Sequence, residues 1–138
     1  MPKVDMQTEL DVSAQQVWDL IGGFNALPDW HPAVASSELE NGGRIRKLNL
    51  VSGGMIVEKL EKISDNERIY TYSIVDSPLP VSDYTASISV RKDNSGDGTI
   101  VEWSSSFRAQ GAPENAAIRA IEAMYEAGFD NLKRIFDS

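Results

Sequence analysis

The stretch that decides the fold is residues 111–138, which reads GAPENAAIRAIEAMYEAGFDNLKRIFDS. Apolar residues recur in it at three- and four-residue steps, the period of one face of an α-helix. They are Ile118, Ile121, Tyr125, Phe129, Leu132 and Phe136, with Met124, Gly128 and Ile135 beside them. Pro113 suits the first turn, where the N–H that proline lacks would have no partner. The pattern predicts an amphipathic helix of roughly 24 residues, about 36 Å long, whose apolar face needs a wide cover.

The first third of the chain predicts one strand followed by two short helices. Residues 4–10 alternate apolar and polar side chains, the period of a strand with one buried face. Ser13 is a suitable N-cap for a helix over Ala14–Ile21, which Gly22 ends. A second helical turn is predicted over Asn25–Trp30, because Pro32 closes it.

Six further strands are predicted between residues 36 and 108, separated by clusters of Gly, Ser, Asn and Asp. Their ranges are Ser36–Glu40, Arg44–Val51, Met55–Ile63, Arg68–Val75, Asp83–Arg91 and Thr99–Arg108. Short loops join neighbouring strands in antiparallel order. We therefore expect an α+β protein, one domain over residues 1–138, with an antiparallel sheet and its helices on one side.

Composition excludes several classes of function. Thirteen Lys and Arg stand against 21 Asp and Glu, a net charge of -8, so nucleic acid and anionic membranes would be repelled. With no cysteine and one histidine, and no acidic cluster at ligand spacing, neither a metal site nor a cofactor is predicted. No long apolar window marks a membrane span, so a soluble, cytoplasmic protein is expected. No feature sets the number of subunits.

Aromatic side chains share one face on each of two predicted strands. Tyr70 and Tyr72 alternate on one strand, and Trp103, Ser105 and Phe107 alternate on another. Rings with polar tips, interrupted by a serine, are typical of a pocket that orients a ligand. An ordinary filled core would give the same pattern, and both interpretations stay open.

Residues 13–32 read SAQQVWDLIGGFNALPDWHP and carry a family resemblance. They resemble the start of the polyketide cyclase/dehydrase branch of the START-like, helix-grip superfamily (SRPBCC). The likeness continues through residues 58–61, Asp65, residues 68–74, residues 77–84 and Trp103. It implies a seven-stranded antiparallel sheet wrapped around a long C-terminal helix, with an internal hydrophobic cavity. Members of the family carry or sense lipids, sterols, hormones and polyketides, and a minority catalyse cyclisation or dehydration.

The middle of the chain is distantly similar to the plant abscisic acid receptors. Residues 51–54 correspond to their gate loop and residues 76–81 to their latch loop. The gate here is shorter and lacks its Leu-Pro, and the latch lacks its His-Arg, so hormone-dependent phosphatase docking is not implied. The lysine that reads the hormone carboxylate there falls at His31 here, so an acidic ligand is not implied either. The same correspondence turns Arg46, Leu48, Leu50 and Glu58 inward. Arg46 and Glu58 then either satisfy each other or recognise a ligand.

The first functional hypothesis is a carrier or sensor that binds a small hydrophobic molecule, such as a lipid, polyketide or aromatic metabolite, between the sheet and the C-terminal helix. The residues expected to form this site are Trp30, His31, Arg46, Leu48, Leu50, Glu58, Tyr70, Tyr72, Leu79, Val81, Tyr84, Trp103, Ser105, Phe107, Ile121, Met124 and Gly128.

Two alternatives remain beside it. The first is a cyclase or dehydrase in which His31 or Glu58 acts as general base, while Tyr72, Tyr84 or Arg46 stabilises an enolate. The second is a regulatory protein-interaction module, suggested by the apolar Leu79 between two prolines. A lid that packs inward explains Leu79 equally simply.

Overall fold

A computed structural model describes residues 1–136 of the chain as a seven-stranded sheet with three helices. The strands are β1 (Lys3–Leu10), β2 (Val34–Glu40), β3 (Ile45–Leu50), β4 (Met55–Ser64), β5 (Ile69–Asp76), β6 (Val81–Lys92) and β7 (Thr99–Ala109). The helices are α1 (Ala14–Ile21), α2 (Leu27–Trp30) and α3 (Glu114–Phe136), with a 3-10 turn at Asn41–Gly43. Residues 137 and 138, which the sequence pattern included in the terminal stretch, lie outside the described residues.

All neighbouring strands are antiparallel, in the order β1-β7-β6-β5-β4-β3-β2. Strands β2 to β7 form a meander, and β1 joins it beside β7 with Met6 opposite Trp103. This arrangement confirms the predicted helix-grip architecture. The α2 segment is shorter than predicted, starting at Leu27, and β6 starts two residues earlier than predicted, at Val81.

The helix boundaries follow from local chemistry. At α1, the Ser13 hydroxyl accepts a hydrogen bond from the Gln16 N–H, and the Gln16 side chain accepts one from the Ser13 N–H. This reciprocal capping satisfies two donors that a helix start leaves free. Before α3, Gly111 adopts a φ of +85°, a left-handed conformation that glycine reaches without a steric cost.

Helix α3 presents one buried face to the sheet. The buried residues are Ala117, Ile121, Tyr125, Gly128, Phe129 and Leu132. Met124 is half-buried beside them, and Ile135 is 39% exposed at the margin of the face. The spacing of the buried set is that of a single helical stripe, as the sequence period predicted.

No helix of residues 1–136 combines the length and the apolar character that crossing a membrane requires.

Candidate internal binding site

A small cavity of about 30 Å³ lies between the sheet and α3. Eleven residues line it: Leu27, His31, Ala33, Val34, Leu48, Leu50, Ile56, Glu58, Tyr72, Trp103 and Met124. They come from the α2 segment, from five strands and from α3, so the cavity exists only in the assembled fold. Its wall is mainly aliphatic, and Glu58 is the one acidic side chain in it.

Seven of the predicted site residues meet in this wall: His31, Leu48, Leu50, Glu58, Tyr72, Trp103 and Met124. Seven others are buried but do not line the cavity: Trp30, Arg46, Tyr70, Ser105, Phe107, Ile121 and Gly128. The remaining three, Leu79, Val81 and Tyr84, lie toward the end of the sheet where β5 turns into β6. The structure therefore brings together about half of the predicted set.

Four wall residues were absent from the prediction: Leu27, Ala33, Val34 and Ile56. For Ile56, a signal was present in the sequence, because it precedes the inward-facing Glu58 by two residues on β4 and shares its face. Leu27 begins the four-residue helix α2, which is too short to show a helical period, and Val34 lies two residues before the predicted start of β2. Their inward orientation depends on how the α2 segment folds back over the sheet.

Arg46 and Glu58 are a buried ion pair at directly opposed positions of β3 and β4. The Arg46 Nε–H donates to Glu58 Oε1 at 2.8 Å, and Arg46 Nη2 lies 2.7 Å from the same oxygen. Arg46 Nη1 also donates to the Phe24 carbonyl oxygen at 2.7 Å. The guanidinium carbon lies 4.2 Å from the centre of the Phe24 ring and 4.9 Å from that of Tyr72. The two charges satisfy each other, as one of the two sequence interpretations proposed.

Burial shapes the protonation of this pair. Removal from water raises the pKa of the Glu58 carboxyl above its ordinary value, and the neighbouring Arg46 opposes that rise. Burial acts to lower the pKa of Arg46, but Tyr70, Glu58 and Tyr72 outweigh it, so the guanidinium stays protonated. The opposite charges of Arg46 and Glu58 offset each other, and only Glu58 lines the cavity.

His31 is buried in the cavity wall with both ring nitrogens bonded to backbone. Its Nε2 lies 2.8 Å from the Met124 carbonyl oxygen, and its Nδ1 accepts the Ala33 N–H at 3.1 Å. A carbonyl only accepts, so Nε2 carries the proton and the ring is neutral. Burial lowers the pKa of His31, although its bond to the Met124 carbonyl opposes the change. The ring therefore ties the segment after α2 to α3.

Hydroxyl-bearing rings form a second buried cluster beside the cavity. The Trp103 Nε1–H donates to the Tyr72 hydroxyl oxygen at 2.9 Å, and the Tyr84 and Tyr125 hydroxyls are hydrogen-bonded to each other. Trp103 stacks on Tyr125 with ring centres 4.2 Å apart. Burial raises the pKa of each tyrosine in this cluster, so the phenols stay protonated at neutral pH.

One side of the cavity wall is thinner than the rest. Ala33, Leu50 and Met124 are half-buried, while the other wall residues are buried. The backbone closes this side, since the Val51 N–H donates to the Ala33 carbonyl oxygen at 2.9 Å. Ligand pockets for small molecules usually measure about 300–1,000 Å³. A molecule of that size would fit here only with the cavity wall displaced outward.

The two loops compared with a gate and a latch lie next to each other. A Cβ added to Gly54 would be 3.8 Å from the Pro78 ring, which places residues 51–54 against residues 76–81. Leu79 is half-buried and packs against the core, as expected for an inward-facing lid. Val51, by contrast, is 66% exposed.

A wider groove of about 550 Å³ lies on the surface where β5 and β6 diverge. Pairing between these strands ends at Ser73 and Thr85, and Asp83 adopts a φ of +52° beyond that point. Hydroxyls and carboxylates dominate the groove, with Val81 and Tyr84 among its lining residues. The groove is open and polar, whereas the wall of the internal cavity is mainly aliphatic.

Within residues 1–136, no three His, Asp or Glu side chains are grouped as metal ligands.

Comparisons with known proteins agree with this architecture. The sequence profile of the family described as "Polyketide cyclase / dehydrase and lipid transport" matches residues 1–137. The protein XoxI from Bacillus cereus is 40% identical, with a TM-score of 0.96, covering 99% of this chain and 96% of its own. An uncharacterised protein from Bacillus thuringiensis is 39% identical, with a TM-score of 0.96, over 99% and 100% of the two chains.

A more distant structure shares the fold alone. A START superfamily protein from Mycobacterium smegmatis is 14% identical, with a TM-score of 0.78, over 98% of this chain and 97% of its own. Among proteins of curated function, no significant match was found.

Proposed function

We propose that this chain, which belongs to the polyketide cyclase/dehydrase and lipid transport family, is a carrier or sensor. It binds a small hydrophobic molecule between the sheet and α3. The observation that supports this most directly is the cavity wall, in which aliphatic side chains surround a single carboxylate. Sites for small molecules combine apolar walls with a few polar groups that fix orientation. The present cavity has this composition, and its thin side supplies a route of entry.

The entry route depends on Met124 and Leu50. Methionine has three rotatable side-chain bonds and a polarisable thioether, so it adapts to ligands of different shape. Met124 and Leu50 are both half-buried, so rotation of either side chain out of the cavity exposes little additional apolar surface. A ligand that replaces these side chains in the cavity buries its own apolar area, about 25 cal/mol for each Å² removed from water.

Catalysis by His31 or Glu58 has less support than binding. A general base needs a free lone pair within reach of the substrate. The Nδ1 lone pair of His31 is occupied by the Ala33 N–H, and Arg46 opposes the rise in pKa that burial gives Glu58. The protein-interaction alternative has less support too, because Leu79 packs inward. The absence of a cofactor and of a nucleic-acid partner, like the cytoplasmic location, remain predictions from composition.

A pair of alanines two residues apart gives a direct test. Ala33 lines the cavity, while Ala35 is exposed on β2. We expect Ala33→Phe to weaken binding of the neutral fluorophore 1-aminoanthracene about tenfold or more, because the new ring occupies the entry side. Ala35→Phe adds the same ring outside the cavity and should leave the affinity within about twofold. Fluorescence titration of the three proteins measures both effects.

Two results would count against the proposal. Saturable binding that is equally strong in wild type and Ala33→Phe would place the dye elsewhere, such as the groove between β5 and β6. No saturable binding of this dye, together with no small molecule retained in native mass spectrometry of the protein from its source, would remove the binding function itself.

A further inference from the structure

The two oxygens of the Glu58 carboxylate have different surroundings. Both contacts from Arg46 end on Oε1, at 2.8 Å from Nε and 2.7 Å from Nη2. Within residues 1–136, no hydrogen bond ends on Oε2. This oxygen is also not one of the fully buried, unpartnered polar atoms of that part of the chain. Since Glu58 lines the cavity, Oε2 is a hydrogen-bond acceptor that retains surface on it.

The ring N–H donors of the cavity wall are already used by the protein. The N–H of His31 is donated to the Met124 carbonyl, and the N–H of Trp103 is donated to Tyr72. Arg46 does not line the cavity, and the Phe24 carbonyl oxygen accepts a hydrogen bond from its Nη1. An incoming carboxylate would therefore meet the Glu58 carboxylate without a free cation to balance it.

We infer that the ligand is an apolar molecule carrying a neutral hydrogen-bond donor, a hydroxyl of the alcohol or phenol class, which donates to Glu58 Oε2, and that the site rejects carboxylates. This inference rests on the proposed function, and it specifies the chemical class that the cavity selects. A hydrogen bond to a charged acceptor is stronger than one between neutral groups. The buried pair then has two roles: Oε1 satisfies Arg46 and Oε2 reads the ligand.

Three ligands that share the naphthalene skeleton test the inference by displacement of 1-aminoanthracene at pH 7. They are 2-naphthol, 2-naphthoate and 2-methylnaphthalene, which carry a donor, a carboxylate and a methyl group. We expect wild type to bind 2-naphthol at least about tenfold more tightly than 2-naphthoate. Any apolar cavity disfavours a carboxylate, so the decisive quantity is the change in this ratio when Glu58 is altered.

Glu58→Gln keeps the shape of the side chain and removes its charge. Arg46 then loses its counter-ion, so the cavity becomes more favourable for an anion. We expect the preference for 2-naphthol over 2-naphthoate to fall at least about tenfold, while the affinity for 2-methylnaphthalene changes less than about threefold. A ratio that stays at the wild-type value overturns the inference.

A second variant covers the case in which Glu58→Gln does not fold. The double substitution Arg46→Met with Glu58→Leu removes both charges, a replacement that buried ion pairs usually tolerate. In it, 2-naphthol should lose about tenfold relative to 2-methylnaphthalene, and an unchanged ratio again overturns the inference. If none of the three compounds displaces the dye from wild type, the proposed function fails instead, and the two failures are distinguishable.

Discussion

The interior of this protein has two ends that differ in how α3 closes them. At the aromatic end, Gly128 lets the helix approach Trp30 and Trp103 so closely that an added Cβ would lie 2.9 and 3.2 Å from their rings. Trp103 also stacks on Tyr125. At the cavity end, the helix contributes Met124, which lines the cavity together with Leu50 and Glu58. One end is rigid and filled, and the other is aliphatic and incompletely filled.

The difference shows how one helix both stabilises a fold and leaves room for a ligand. Aromatic rings packed against a glycine have few alternative rotamers and tolerate little change in volume. Flexible aliphatic side chains around a small void change rotamer at low cost. The aromatic end therefore fixes the position of α3, and the cavity end can rearrange without moving the helix.

The largest effect is expected from breaking the ion pair at the cavity end. Arg46→Met leaves Glu58 as an unpaired buried carboxylate, which should lower the free energy of unfolding by about 3–5 kcal/mol at pH 8. Urea denaturation measures it. Burial raises the pKa of Glu58, and the variant lacks the arginine that opposes this rise. Lowering the pH from 8 to 5 therefore favours the neutral carboxyl and should reduce the loss.

Two comparisons control this experiment. Arg44→Met removes an exposed arginine just before β3, and its effect should stay within about 0.5 kcal/mol. Adding Glu58→Leu to Arg46→Met removes the stranded charge and should recover most of the lost stability. A loss that is independent of pH and unrelieved in the double variant would mean that packing of the arginine stem, and not charge, dominates at this position.

At the aromatic end, Gly128→Val is expected to have the next largest effect. Its side chain would overlap the rings of Trp30, His31 and Trp103, all of which are buried, so a loss of about 1–3 kcal/mol should follow. Thermal or urea unfolding measures it.

Ala123→Val places the same side chain on the exposed side of α3, where only helix propensity changes, at about 0.5 kcal/mol. Equal losses at the two positions would show that the helix does not rely on close approach at Gly128, and the contrast between the two ends would weaken.

The elements of the fold followed from sequence because each depends on a local period. The apolar stripe of α3, the alternation in β1 and the capping serine before α1 each specify their own element and its buried face. The meander followed from short loops. Local signals did not locate the ends of strands. Strand β6 begins at Val81, before its bulge at Asp83, because Val81 and Ser82 still pair with β7.

The site was only partly predictable, for a physical reason. Inward-facing residues on regular strands, such as Leu48 and Glu58, follow from alternation and from the family likeness. Whether an inward residue lines a void or is packed solid depends on volumes summed over several elements, which no local pattern encodes. Phe107 and Ile121 were therefore predicted as lining residues but are 0% exposed in the filled core. Leu27, in the four-residue helix α2, was missed.

The smallest expected effect concerns His31, which joins the two ends because it packs against Trp30 and Trp103 and also lines the cavity. Burial lowers its pKa below the ordinary value of 6.5, so between those two values the unfolded chain binds more protons than the folded one. Stability should therefore fall as the pH decreases below 6.5, by at most about 1.4 kcal/mol per pH unit. His31→Gln keeps a donor for the Met124 carbonyl but does not titrate.

The difference in unfolding free energy between wild type and His31→Gln isolates this contribution from that of Glu58, whose raised pKa acts with the opposite sign. The difference should be constant above pH 7.5 and should decrease toward pH 5. Because the sequence contains one histidine, the chemical shift of its Cε1 proton reports the same titration without interference. A midpoint at or above 6.5 would mean that the imidazolium is accommodated inside. The His31 ring would then not be held in its neutral form between the aromatic end and the cavity end. The rigid aromatic end would extend less far than its packing indicates.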